Sequence, residues 1–325
     1  MSTSNRPSTQ IGRMTRREAL QLGALAGAGL LLQRQSLAAD AKAKTLPLIT
    51  KTIPSSGEKL PVIGVGTNAY GVTAPEELAL RREVLRQLPQ LGGSVVDTAP
   101  AYGSSESVIG DLVAQIGNRD KLFFATKVTA RGGDVAGGKA MLEESFKRLK
   151  TDRIELVEVH NLQGVEEMLP VLLEMKAVKR IKYIGITTSQ DAQHGVLEDA
   201  MRRHPLDFIQ VNYSLGDRES AATILPLAQE RKIAVLLNVP FGGRRGSNLF
   251  ARVADKPVPE WAAEFDATSW AQVFLKYAVS HPAVTCAIPG TTKVSHLEDN
   301  QLAARGRLPD AAMRVRIEKF WDGLG

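Results

Sequence analysis

The sequence predicts an α/β protein, a single (β/α)8 barrel of the TIM type with an N-terminal β-hairpin. Three observations carry this reading. Eight short apolar runs rich in β-branched residues recur along the chain, from "VIGVG" at 62–66 to "AVTCAIP" at 283–289. Amphipathic helical patterns separate them, an alternation that argues for parallel strands with crossover helices. The composition does not change character between the first unit and the last, which favours one closed barrel. A doubly wound open sheet is the competing architecture, but no G-x-G-x-x-G follows the first strand, and "GVG" at 64–66 is too short a signal.

The elements follow in order. "ITKTIPSSGEKLPVIGVGT" reads as a hairpin turned at Ser55, Ser56 and Gly57, then a strand from Val62 to Gly66. A helix over about 76–90 follows, with Pro75 suited to its first turn. The next strands are "SVVDT", "LFFATKV", "IELVEVH", "KYIGIT", "FIQVNY", "IAVLLN" and "AVTCAIP". Helices are expected at about 104–116, 138–149, 165–178, 190–203, 218–231 and 267–280, and the last residues, "DAAMRVRIEKFWDGLG", close the chain as an amphipathic helix. The segment 239–266, rich in Gly and Arg at first and carrying Trp261, is long for a connecting loop, which hints at function.

The chain has 325 residues, 43% hydrophobic and 23% charged, as soluble globular proteins have. Its net charge of +6 is uneven: residues 1–39 hold five arginines against Glu18 alone, which is +4 and leaves +2 for the rest. Without a basic stripe interleaved with aromatics, nucleic acid is not expected as a partner. The single cysteine, Cys286, lies in an apolar run and reads as a small buried hydrophobe. The five histidines are scattered, and no Cys/His spacing suggests a metal.

At the N-terminus, Arg16 and Arg17 precede a Gly/Ala-rich apolar run from Ala19 to Leu32, and small residues Ser36, Ala38 and Ala39 follow. This is the order of a signal peptide. The run is shorter than the roughly 20 residues a membrane span needs. The paired arginines and weak hydrophobicity resemble a twin-arginine signal. The expectation is cleavage after Ala38 or Ala39, engagement of the twin-arginine export machinery, and a periplasmic mature protein. Residues 1–39 are then a signal peptide, and 40–325 form the barrel.

Three ionisable residues end three successive strands: Asp97, Lys127 and His160, spaced by 30 and 33 residues. Each spacing is one strand–helix–strand unit, so a barrel brings them side by side at the carboxyl face, where barrel enzymes do chemistry. Tyr102 sits in the loop above Asp97. A free phenol, with a pKa near ~10, is a poor acid at neutral pH. A lysine ammonium beside it lowers that value, an aspartate keeps the lysine charged, and a histidine orients a carbonyl oxygen. The set can protonate a developing alkoxide. It lacks a nucleophile and needs a hydride donor, which implies a nicotinamide. Taken singly, each residue also has a plain reading. Asp97 is a cap or salt-bridge partner, Tyr102 a loop aromatic, Lys127 a pairing or Schiff-base lysine, and His160 a core histidine.

"DTAPAYGSSESVIG", the lysine of "FFATKV" and the histidine of "LVEVHN" together resemble the signature regions of the aldo-keto reductase superfamily, over about residues 48–325. The resemblance implies a hairpin-opened (β/α)8 barrel that uses NAD(P)H. It implies Tyr102 as general acid, Asp97 and Lys127 tuning it, and His160 orienting the carbonyl. For the cofactor it implies Gln210 holding the carboxamide and Tyr213 stacking on the nicotinamide, with Thr67 nearby. Thr187 and Thr188 stand where the family shows Ser-Asn, so hydroxyls replace an amide contact. Phe241, Gly242 and Gly243 would lie over the pyrophosphate. Thr291, Thr292 and Lys293 would meet a 2′-phosphate, and Asp299 and Asn300 the adenine. His296 stands where the family often has an arginine, so NADP(H) is favoured with NAD(H) possible. Lys293, Arg244 or Arg245 would supply charge.

The implied activity is reduction of aldehydes or ketones to alcohols by hydride transfer, with a small-molecule carbonyl as substrate. The alternative is a non-catalytic nicotinamide-nucleotide-binding sensor or interaction module on the same fold. An open, permissive pocket is expected, with Asn68, Tyr70, Asn161 and Phe241 as possible lining. Glu158 shares a face with His160 by strand alternation, where barrels usually bury apolar residues. A salt bridge and a role in tuning the histidine are both open to it.

Overall fold

The computed structural model describes residues 45–243 and 248–324. The leader at 1–39, Arg244 and Arg245 lie outside the described residues. Strands β1 (Thr50–Thr52) and β2 (Lys59–Pro61) form an antiparallel hairpin in the register Thr50 to Pro61. Gly57, at φ +77°, closes its turn by donating to the Ile53 carbonyl at 2.9 Å. That left-handed conformation suits glycine, which has no Cβ to clash.

Eight parallel strands follow: β3 (Val65–Gly66), β4 (Val95–Asp97), β5 (Phe123–Val128), β6 (Ile154–His160), β7 (Ile181–Thr187), β8 (Phe208–Asn212), β9 (Ala234–Asn238) and β10 (Cys286–Ala287). They pair in sequence order. Parallel bridges from Ile63 to Ala287 and from Gly66 to Gly290 join the first strand region to the last, so the sheet closes. The fold is the expected (β/α)8 barrel with its N-terminal hairpin.

The crossover helices are α1 (Pro75–Gln87), α2 (Ser105–Ile116), α3 (Val135–Leu149), α4 (Val165–Ala177), α5 (His194–Arg203) and α6 (Ile224–Glu230). After β9 come a short α7 (Leu249–Arg252) and α8 (Trp270–Ser280), and after β10 come α9 (Val294–Leu302) and α10 (Ala311–Asp322). Pro75 takes the first position of α1, where its missing N–H costs nothing. Two helices are shorter than their periodicity suggests: Asp191–Gln193 and Glu219–Ala221 are separate 3₁₀ turns ahead of α5 and α6. Helix α9 is not among the helices expected from periodicity. The long segment after β9 is anchored by rings: Phe241 meets Phe250 at 5.0 Å and Trp261 meets Phe320 at 5.6 Å between centroids.

Strand alternation divides the core in two. One set faces the helices, including Val96, Phe124, Val157, Ile184, Ile209 and Val235. The other fills the barrel: Val95, Phe123, Ala125, Leu156, Tyr183, Phe208, Leu236 and Cys286, joined by Ile53 and Leu60 of the hairpin region. Each fully buried large aliphatic or Phe side chain contributes roughly 1.5–3 kcal/mol. Burial pushes the Cys286 thiol up, so it is a packing residue and not a thiolate.

Candidate active site

Continuing the interior alternation toward the carboxyl ends of the strands, apolar residues give way to polar ones. Val95 leads to Asp97, Ala125 to Lys127, Leu156 to Glu158 and His160, and Phe208 to Gln210. Asp97 is 3% exposed and Lys127 1%. The Lys127 ammonium donates to Asp97 Oδ1 at 2.7 Å and to the Thr98 carbonyl at 2.9 Å. The Gln210 side-chain amide donates to the same Asp97 oxygen at 2.9 Å. Burial alone would favour the neutral amine. The charge of Asp97 and its hydrogen bond to the ammonium oppose it and hold the Lys127 pKa above its ordinary value.

The loop after β4 brings Tyr102 over this pair. The Tyr102 N–H donates to the Ala99 carbonyl at 3.0 Å, and Gly103 turns the chain at φ +61° into α2. The Lys127 ammonium lies 5.5 Å from the Tyr102 ring centroid. The His160 and Tyr102 rings stand edge to face, with centroids 6.3 Å apart and planes at 89°. The structure thus brings together the four residues that three strand ends and one loop suggested. Tyr102 and His160 face a cleft of about 540 Å³, and Lys127 lies buried behind them.

Thr67, Thr187, Gln210, Phe241, Gly242 and Gly243 line the same cleft. The Thr187 hydroxyl donates to Gln210 Oε1 at 2.9 Å, so the amide is fixed between Thr187 and Asp97. The Thr67 hydroxyl donates to the Asp97 carbonyl at 2.7 Å. Gly242 and Gly243 have φ of +70° and +110°, and a Cβ at Gly243 would meet nothing within 4 Å, so the backbone at that end is open to a ligand.

Several residues are not where the sequence reading put them. Tyr213 does not reach the cleft. It stacks on Tyr277 at 5.9 Å, donates its hydroxyl to Tyr277 at 3.1 Å and accepts from Arg314 at 2.5 Å. It lies one residue past the end of β8, so its side chain falls on the helix side, opposite to Gln210 and Asn212. Thr188 is fully buried and donates to Gln193 outside the cleft lining. Tyr70 is fully buried and donates to the Thr291 carbonyl at 2.9 Å, so it supports the cleft without lining it, whereas Asn68, Asn161 and Phe241 do line it. The Asp299 carboxylate accepts from Ser269 at 2.8 Å and from the Gln272 amide at 2.7 Å, which fastens α9 to the start of α8. Thr291 and Asn300 are buried and bonded to each other at 3.2 Å. Thr292 is half-buried, and Lys293 and His296 are exposed beside it at the start of α9.

The cleft also holds residues that the sequence reading missed. Asn238, Val239 and Pro240 line it from the end of β9, and Ser189 lines it from the loop after β7. Asn238 ends β9 in register with Asn212 of β8, a pairing that only the structure shows. Beside His160 a second cleft of about 450 Å³ opens between the loops after β5 and β6. It shares Ala101, His160 and Asn161 with the first, and Thr129, Arg131, Met141 and Gln163 wall it. Among the described residues no cluster of His, Cys, Asp and Glu has the makings of a metal site.

A closed (β/α)8 barrel with Asp, Lys, His and Tyr gathered at its carboxyl face defines a class that comparison makes specific. The chain belongs to the aldo/keto reductase family, whose model matches residues 62–321. It is 32% identical over 203 residues to the aldo-keto reductase YhdN of Bacillus subtilis, covering 57% of this chain and 60% of that protein. It is 29% identical over 277 residues to the methylglyoxal reductase YeaE of Escherichia coli, covering 82% of this chain and 93% of that protein. A solved aldo/keto reductase of Klebsiella pneumoniae, in complex with NADP and acetate, superposes with a TM-score of 0.71 at 22% identity, over 84% of this chain and 96% of that one.

Proposed function

We propose that the protein is an NADP(H)-dependent carbonyl reductase in which Tyr102 is the general acid. The observation that carries this is the Lys127 ammonium, held charged by Asp97 at 2.7 Å and placed 5.5 Å from the Tyr102 ring. A cation there favours the phenolate, so the hydroxyl gives up its proton more readily than a free phenol. His160, edge-on to Tyr102, is positioned to donate to the substrate oxygen and fix its lone pair toward the Tyr102 hydroxyl. Lys127 has its own proton locked by Asp97 and Thr98, so it acts as a fixed charge and not as a donor.

The cleft residues fit a nicotinamide nucleotide. Gln210, held by Thr187 and Asp97, is the candidate for the carboxamide. The side-chain-free surface at Gly242 and Gly243 suits the pyrophosphate, and the exposed Lys293 suits a 2′-phosphate. When bound, such a cofactor supplies the hydride. Support for NADP(H) comes from the Klebsiella relative, which was solved with NADP. The second cleft beside His160 gives the rest of the substrate room to extend. We further propose that residues 1–39 are a cleaved twin-arginine signal and that the mature protein is periplasmic, on the strength of the paired arginines and the short apolar run.

The test is NADPH and NADH oxidation with a panel of aldehydes and ketones that includes methylglyoxal. Tyr102→Phe should lower turnover by at least 10²-fold while leaving cofactor affinity within a few-fold. Cofactor binding with no turnover on any carbonyl would point instead to a nucleotide-binding module. Turnover unchanged in Tyr102→Phe would remove Tyr102 as the acid.

A further inference from the structure

Glu158 is a buried carboxyl that the proposed proton transfer does not use. It lies on β6, two residues before His160 and on the same interior face. Lys127 of β5 is its Cα partner on one side and Gly185 of β7 on the other. Its exposure is 0%, and neither carboxyl oxygen has a hydrogen-bond partner among the described residues. Gly185 beside it has no side chain to crowd it: a Cβ there would lie 3.1 Å from Glu158 Cγ and 2.7 Å from the Phe208 carbonyl. A leucine there would fill the barrel at no electrostatic cost, so an unpartnered acid in the layer of Lys127 calls for a role.

We propose that Glu158 is a positioning residue that acts through Lys127, setting how strongly the ammonium draws on the Tyr102 hydroxyl. The inference rests on the reading of Tyr102 as the proton donor. The charges that act on Glu158 are Lys127 from β5 and Asp97 from β4, while β7 and β8 bring the uncharged Gly185 and Gln210. Burial pushes the carboxyl up to about 8. Lys127 opposes that rise and Asp97 adds to it. Near neutral pH Glu158 is therefore the neutral acid, and Asp97 alone balances the ammonium. Above about pH 8 Glu158 becomes a second anion on the same cation. The field of Lys127 at Tyr102 then weakens, and the phenol becomes a weaker acid. No bond to Glu158 forms or breaks in the reaction.

The experiment reads Tyr102 directly, without turnover. Phenolate absorbance is followed against pH in the wild-type chain and in Glu158→Gln, each differenced against its own Tyr102→Phe counterpart so that the other four tyrosines cancel. Glu158→Gln should move the Tyr102 midpoint down by about one pH unit, the order of effect expected from removing one nearby charge at an effective dielectric of about 20. Glu158→Leu, also neutral throughout and close in volume, should give the same shift. Coincident midpoints in all three backgrounds overturn the proposal. A second readout is the pH profile of kcat for carbonyl reduction. The wild-type rate should step down by roughly threefold through about pH 8, and the step should vanish in both variants. A step that persists in the variants also overturns it. A shifted midpoint with no turnover on any carbonyl supports the electrostatic coupling and defeats the reductase reading instead.

Discussion

Asp97 and Lys127 are charges that the barrel has almost wholly removed from water, with side chains 4% and 1% exposed. Such a pair survives only where further hydrogen bonds complete it, and here the Thr98 carbonyl and the Gln210 amide do so. Glu158, in register with Lys127, has no hydrogen-bond partner among the described residues and so favours its proton. Its consequence for stability has a definite sign. The folded-state pKa, about 8, lies above the ordinary value of 4.5. Stability from this group is therefore fully present below about pH 4.5 and is lost as the pH rises through about 8. Glu158→Gln should have a melting temperature near the wild type at pH 5 and above it at pH 9. A difference that is constant over that range would show that Glu158 does not titrate there. At this scale the sequence was most legible where a residue's type was unusual for its place. Asp97, Lys127, His160 and Glu158 all stand at interior positions that a plain barrel fills with Val or Leu. Tyr213 misled because the resemblance, and not strand alternation, set it at the cleft: one position past Asn212, it falls on the side opposite to Gln210 and stacks on Tyr277.

Helices α2 and α3 show how close approach constrains an element. A Cβ on Gly110 would lie 2.0 Å from the Arg148 carbonyl, so α2 packs its glycine on the end of α3. Gly110→Ala should separate the two helices and cost roughly 1–3 kcal/mol by overpacking. Gly195→Ala near the start of α5, where a Cβ meets nothing within 4 Å, is the control and should be neutral or slightly stabilising. Urea midpoints of the two variants check this, and equal midpoints would mean that α2 can shift without cost. Such contacts are invisible in sequence, because Gly110 sits in a regular amphipathic pattern that gives no sign of what lies opposite. The strands were legible for the opposite reason, since β-branched runs with polar ends declare both their period and their direction. The helix α9 was not, because "TTKVSHLEDN" has turn-forming residues at its start and few apolar ones.

For the whole molecule, the proposed cleavage near residue 39 would free a barrel that has to hold its cofactor. Export in the folded state would let the protein collect a nicotinamide nucleotide before it leaves the cytoplasm. N-terminal sequencing of the mature protein should begin at Ala39 or Asp40. A chain recovered from the periplasm that still starts at Met1 would rule out the cleaved signal. Among the described residues no helix is long and apolar enough to cross a membrane.

The sequence by itself determined the barrel, its hairpin and the convergence of Asp97, Tyr102, Lys127 and His160. Strand periodicity and unit spacing are local properties, and closure of a parallel sheet leaves strand ends only one face to share. Only the tertiary structure decided which polar residues reach the cleft. It turned Tyr213 into a packing contact and Asp299 into a hydrogen-bonded brace, brought in Asn238, and left Glu158 without a hydrogen-bond partner among the described residues. Those outcomes depend on barrel stagger and on helix-to-helix contacts between residues far apart in the chain, which no local pattern encodes.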